Sequence, residues 1–90
     1  MFSVVYHYLA VRDDIPKLPS ERKKGVRRAI EERLATHPDL YGKPLRRSLK
    51  GYRKLRVGDY RVIFKIEKNT VKILIIQHRS VVYTEAEKRV

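Results

Sequence analysis

Ninety residues make one domain with a limited core, because a chain this short buries a smaller share of its surface than a longer one. There is no cysteine, which excludes disulfides and thiolate metal sites, and the three histidines, His7, His37 and His78, are too scattered for a zinc centre. A net charge of +12, from 22 Lys and Arg against 10 Asp and Glu, points to a polyanion as partner, nucleic acid first among them.

Phe2 to Tyr8 is aromatic and β-branched and reads as a first strand. Tyr6, His7 and Tyr8 break its apolar character, so no signal peptide is expected, and no run reaches the length of a membrane span. A cytosolic protein without cofactor or membrane partner is the expectation. Val11, Ile15 and Leu18 recur at helical spacing, but Pro16 limits a helix there to one or two turns. Ser20 is placed to cap the next helix, which runs from Glu21 to Ala35. Val26, Ala29, Ile30 and Leu34 line its apolar face, and Gly25 weakens it by ~1 kcal/mol relative to alanine. His37-Pro38 ends it, and Asp39 to Gly51 reads as a basic loop.

Three strands follow, over Arg53–Val57, Tyr60–Ile66 and Val71–Gln77, and the tail from Ser80 closes in a charged helical segment. Strand, two helices and a strand meander predict an α+β domain over residues 1–90. An antiparallel sheet of about four strands carries both helices on one face and leaves the other open.

Gly58-Asp59 separates two alternating runs and signals a two-residue hairpin turn of type II′. That loop sets Val57 opposite Tyr60, Arg56 opposite Arg61 and Leu55 opposite Val62. The apolar set Leu55, Val57, Tyr60, Val62, Phe64 and Ile66 then meets the helices, and Lys54, Arg56 and Arg61 share the open face. Like charges directly opposed destabilise a sheet by up to ~1 kcal/mol, so an anion between the arginines is the functional reading. The next hairpin turns near Lys68-Asn69-Thr70. A loop of two or four residues brings His78 beside Arg61; a three-residue loop or a bulge brings Arg79 instead. Tyr83, four residues on, is placed to fold back over the same surface.

The stretch Leu49-Lys50-Gly51-Tyr52-Arg53-Lys54-Leu55-Arg56-Val57-Gly58-Asp59-Tyr60-Arg61-Val62-Ile63-Phe64 resembles the central signature of RelE/ParE toxins. His78-Arg79-Ser80-Val81-Val82-Tyr83 is similar to the motif that closes the family's last strand, and Gly42-Lys43-Pro44-Leu45 to its lead-in. The resemblance implies a toxin of a type II toxin–antitoxin system, an endoribonuclease that cuts ribosome-bound mRNA without a metal. In that scheme the ribose 2′-hydroxyl attacks the adjacent phosphate. Arg61 and Arg79 match phosphate-stabilising arginines, Lys54 a basic residue that contacts RNA and assists proton transfer, and Tyr83 an acid/base candidate. Histidine is the side chain that titrates nearest neutrality, which makes His78 the other candidate. Arg56, Arg53, Arg46, Arg47 and Lys50 extend the basic track for RNA. Two departures stand out: Gln77 where many relatives have glycine, and Tyr52 where RNA-cleaving members carry a cation. Some relatives poison DNA gyrase instead, and a passive RNA-binding module is a third reading. Either toxin reading implies a cognate acidic antitoxin, which folds on the basic surface and forms a hetero-oligomer with the toxin.

Overall fold

The longest apolar run of the chain, Ile73–Ile76, becomes the centre of the fold. It lies in β5 (Thr70–His78), which is flanked by β1 (Ser3–Tyr6) on one side and β4 (Tyr60–Glu67) on the other. The computed structural model describes all residues, Met1–Val90. Its one sheet has the order β1-β5-β4-β3-β2, with β3 spanning Arg53–Val57 and β2 only Lys43–Pro44. The α+β class holds, but the sheet has five strands and is mixed, since β1 runs parallel to β5 from Ser3↔Thr70 to Tyr6↔Ile73. The fifth strand lies in the segment expected to be loop.

The first helical segment covers residues 8–17 and is longer than expected. A π-turn at Ala10–Asp14 runs directly into α1 (Ile15–Lys17). The wider turn accommodates Pro16, whose ring would otherwise meet the preceding carbonyls. The second helix, α2, starts at Ser20 itself and runs to Ala29, then continues through a π-turn at Ile30–Leu34. Ser20 therefore lies inside the helix and caps nothing; Pro19 precedes it, and the Pro19 carbonyl accepts from the Arg22 and Lys23 amides. A short α3 (Pro38–Tyr41) leads into β2.

Val26, Ala29, Ile30 and Leu34 are buried as their spacing requires, against Leu55, Val62, Phe64, Val71, Ile73 and Ile76. Val57, Tyr60 and Ile66 are partly buried against the same cluster. The opposite face is not open. Ile63, Leu74 and Ile75 pack there under Leu49 and under Val82 and Ala86 of a C-terminal helix, α4 (Val82–Glu87). Charged side chains hold both ends of this face: Lys65, Lys72 and Glu67 form ion pairs at one end, and the cations near the Gly58-Asp59 turn lie at the other. Gly42 is required where it stands, since a Cβ there would overlap the Phe64 ring. No helix is long and apolar enough to cross a membrane.

Candidate nucleic-acid interface and active site

The hairpin of β3 and β4 sets the geometry. Gly58 takes a positive φ of 59° at the first turn position, where glycine avoids the strain a side chain would bring. The register is the one read from the turn: Val57↔Tyr60, Arg56↔Arg61 and Leu55↔Val62. Arg56 and Arg61 are thus directly opposed, and Lys54 follows on the same face, opposite Ile63. The short strand β2 adds a cation that the sequence reading missed, because Lys43 pairs with Lys54. Lys43, Lys54, Arg56 and Arg61 form a stripe across three strands. Neither Lys43, Lys54 nor Arg56 has an ion-pair partner. Arg61 Nη1 donates to the carbonyls of Gly58 and Tyr60, both at 2.9 Å, which holds its guanidinium at the turn.

A bulge in β5 decides what joins them. The second hairpin turns on two residues, Lys68 and Asn69, with Glu67 opposite Thr70. The register then slips between Ile63 and Phe64, which face Ile75 and Ile73 and leave Leu74 as the extra residue. Gln77 therefore stands opposite Arg61, and His78 opposite Tyr60, where the two rings meet edge to face at 5.6 Å. The bulge sends His78 to the helix side. Its Nδ1 lies 2.8 Å from Ser80 Oγ and accepts from the Ser80 amide at 3.1 Å. Arg79 stays at the turn: its amide donates to the Asp59 carbonyl at 2.8 Å, and its Nε is 4.0 Å from the Asp59 carboxylate. That contact is exposed and weak, which leaves the guanidinium available. Arg22 of α2 reaches the same turn, its Nη1 3.2 Å from where a Cβ on Gly58 would sit.

Tyr83 is the second residue of α4 and is half-buried in the second cluster. Lys54 Nζ stands 5.7 Å from its ring centre, within cation–π range. Lys54, Arg56, Arg61, Arg79 and Tyr83 therefore gather on one end of one face, and His78 lies around the edge from them. Arg53 is diverted. It alternates to the opposite face from Lys54 and donates to the carbonyls of Gly42 at 3.0 Å and Asp39 at 3.4 Å, so it holds the loop. Arg46, Arg47 and Lys50 are exposed on a 3-10 turn whose Leu49 is buried beneath α4. Ser48 Oγ ties this turn to α4 by donating to Glu87 at 2.6 Å. Arg47 sits at a positive φ of 58°, an uncommon conformation for a non-glycine residue.

Another group went unnoticed in the sequence: Asp14, the one buried charged residue, which is bound by Arg89, Gln77 and the Ile76 amide. Burial pushes its carboxyl up, but the hydrogen bonds from Arg89, Gln77 and Ile76 outweigh that and hold it below the usual carboxylate range. The partners are 75 and 63 residues away in sequence, so no local pattern announces them. Chemically, the face is built for an anion. Cations outnumber carboxylates on it: Asp59 lies at the turn, Glu67 pairs with Lys65 and Lys72 at the far end, and a phenol stands beside the ammonium of Lys54.

The family model described as the ParE toxin of type II toxin-antitoxin systems, parDE, matches residues 5–83. The chain is 39% identical over 74 residues to the toxin RelG of Mycobacterium tuberculosis, covering 80% of this chain and 85% of that one. It is similar in structure to the toxin of the RelBE2 toxin-antitoxin complex from the same organism. The TM-score is 0.79 at 36% identity, over 87% of this chain and 98% of that one. The isolated RelE toxin of E. coli shares the fold at a TM-score of 0.74 and 22% identity, over 99% of this chain and 98% of that one.

Proposed function

The chain belongs to the RelE/ParE superfamily of type II toxins, and from that premise we propose that it is a metal-independent endoribonuclease acting on ribosome-bound mRNA. The observation that carries this reading is the stripe of Lys43, Lys54, Arg56 and Arg61 with Tyr83 beside Lys54. Opposed arginines oppose folding, and a phosphodiester laid between them removes the repulsion. Lys43, Lys54 and Arg56 hold the RNA backbone, with Arg46, Arg47 and Lys50 along its path. Arg61 and Arg79 donate to the phosphorane as charge builds on its oxygens. The 2′-oxygen forms a bond to phosphorus, the bond to the 5′-oxygen breaks, and a 2′,3′-cyclic phosphate and a 5′-hydroxyl result. One proton leaves the 2′-hydroxyl and one arrives at the 5′-oxygen, so no further reactant is consumed.

Tyr83 is the acid/base of this reading, because its phenol shares the face with Arg61. His78 is on the helix side with its Nδ1 engaged by Ser80. Ribosomes programmed with a defined message, with cut ends mapped by primer extension, test it. Arg61→Ala should lose about two to three decades in rate, as for a lost oxyanion donor. Tyr83→Phe should lose roughly two to four decades, and His78→Gln little. Toxin dialysed against EDTA before it is added to intact ribosomes should cut as fast as untreated toxin. Wild-type cutting by Arg61→Ala would sink the site. Absence of cutting by the wild type, with replication arrested instead, would assign the chain to the gyrase-directed branch.

The solved relative with its antitoxin supports a protein partner for this chain also, an acidic one given the charge of +12. A groove floored by Ile15, Leu18, Val26 and Ile30 carries Lys23 at its rim and an Arg27–Glu31 ion pair beside it, and it suits an amphipathic helix that brings a carboxylate to Lys23. Association should slow steeply as salt rises, and a salt-independent rate would refute electrostatic steering. The setting of both reactions is the cytosol.

A further inference from the structure

Beyond Ile73 no strand pairs with the outer side of β5, because β1 pairs with it only over Thr70–Ile73, and the π-turn at Ala10–Asp14 packs against it instead. Two side chains from opposite ends of the chain fill this gap. Asp14 Oδ2 accepts from the Ile76 amide at 3.0 Å, and Arg89 Nη1 donates to the Leu74 carbonyl at 3.0 Å. Between them Arg89 and Asp14 form a two-point fork, at 2.7 and 2.8 Å, with side chains only 8% and 1% exposed. Gln77 Nε2 donates to Asp14 at 3.0 Å and completes the cluster.

A buried ion pair of this kind is weak evidence for stability, since apolar residues of like volume often serve as well. What a fork gives is direction, because two parallel bonds form in one orientation only. The element that needs direction is α4. It has six residues, too few to stand alone, and it is held by buried Val82 and Ala86, by half-buried Tyr83 and by the exposed Ser48–Glu87 hydrogen bond. Apolar contacts and one exposed hydrogen bond fix its place less sharply than a buried two-point fork does. Arg89 follows α4 directly and pins its end to the sheet, and Tyr83 lies at its start.

We infer that Asp14, Gln77 and Arg89 are positioning residues for Tyr83, clamping α4 to the edge of β5 so that the phenol is held over the cationic stripe. The inference rests on the ribonuclease reading. None of the three touches the RNA in this scheme; each acts through the helix.

The test uses Arg89→Lys, which keeps the charge and loses the fork, and the double variant Asp14→Leu/Arg89→Met, which replaces the pair by apolar volume should the first fail to fold. Hydrogen exchange should show the sheet amides other than Ile76, whose acceptor is Asp14, still protected and the α4 amides exchanging faster. Cleavage on programmed ribosomes should fall about 10²-fold in kcat with KM unchanged, the scale of an ångström-level misplacement. In a Tyr83→Phe background the same changes should cost nothing further. An Arg89→Lys variant as fast as the wild type, or a loss of equal size in both backgrounds, would overturn the inference and leave the ribonuclease reading standing. If the wild type itself cuts no RNA, the ribonuclease reading falls, and the positioning role with it.

Discussion

Arg56→Glu should make the protein more stable and less active. Arg56 and Arg61 are directly opposed across the hairpin, and Arg56 has no acidic partner. Cross-strand charge pairs contribute roughly 0.2–1 kcal/mol in either sign, so ending a repulsion and creating an attraction gains up to ~2 kcal/mol. For a domain of this size each kcal/mol moves Tm by about 4–8 °C, so a rise of several degrees is expected. Arg56→Gln, which only ends the repulsion, should fall between. Salt separates electrostatics from propensity. The wild type should gain stability between low salt and about 1 M, where the Debye length shrinks to about 3 Å, and Arg56→Glu should lose it. Thermal melts followed by circular dichroism at both salt levels read this directly, and ribosome cleavage by the same samples should fall. A glutamate variant that melts at or below the wild type in low salt would refute the claim that this sheet face is strained in favour of an anion.

Gly25→Ala should stabilise α2 by ~1 kcal/mol, since Gly25 is helical and a Cβ there meets nothing; a lower urea midpoint would contradict it. Gly42→Ala should cost about 1–3 kcal/mol, because the added methyl must displace the Phe64 ring in the core, and chemical denaturation would show it. Burial pushes the Asp14 carboxyl up, but the hydrogen bonds from Arg89, Gln77 and the Ile76 amide outweigh it, so by NMR it should titrate below an unperturbed aspartate. Its contribution to stability is then complete above about pH 4, the unfolded value, and is lost as pH falls through the lower folded value. A midpoint at or above that of an unperturbed aspartate would break that linkage.

The Gly58-Asp59 hairpin was legible because a two-residue turn and clean alternation leave one register, and both faces of β3 and β4 follow from it. The bulge at Leu74 was not, because Ile73–Ile76 is apolar throughout and offers no alternation to betray a slip. That slip moved His78 away from Arg61. The strand at Lys43–Pro44 was hidden by proline and by its length, and Lys43 with it. Arg53 looked like one more cation on a basic track, although the same alternation puts it on the opposite face from Lys54; that it braces the loop is seen only in its hydrogen bonds to the Gly42 and Asp39 carbonyls. The covering of the second face by α4 rests on Val82 and Ala86, two small residues that a charged tail does not advertise.

The parallel pairing of β1 with β5 has a kinetic consequence. Residues 3–6 find their partners only at residues 70–73, and Asp14 finds its own at Arg89. Contacts so distant in sequence make folding slow, since the loop must close before any of them rewards it. Until residues 70–89 have been synthesised, the growing chain owns a helix pair and the β3–β4 hairpin, and a lone hairpin is marginal in water. Cationic stripe and phenol therefore come together late, when translation of these residues is already over.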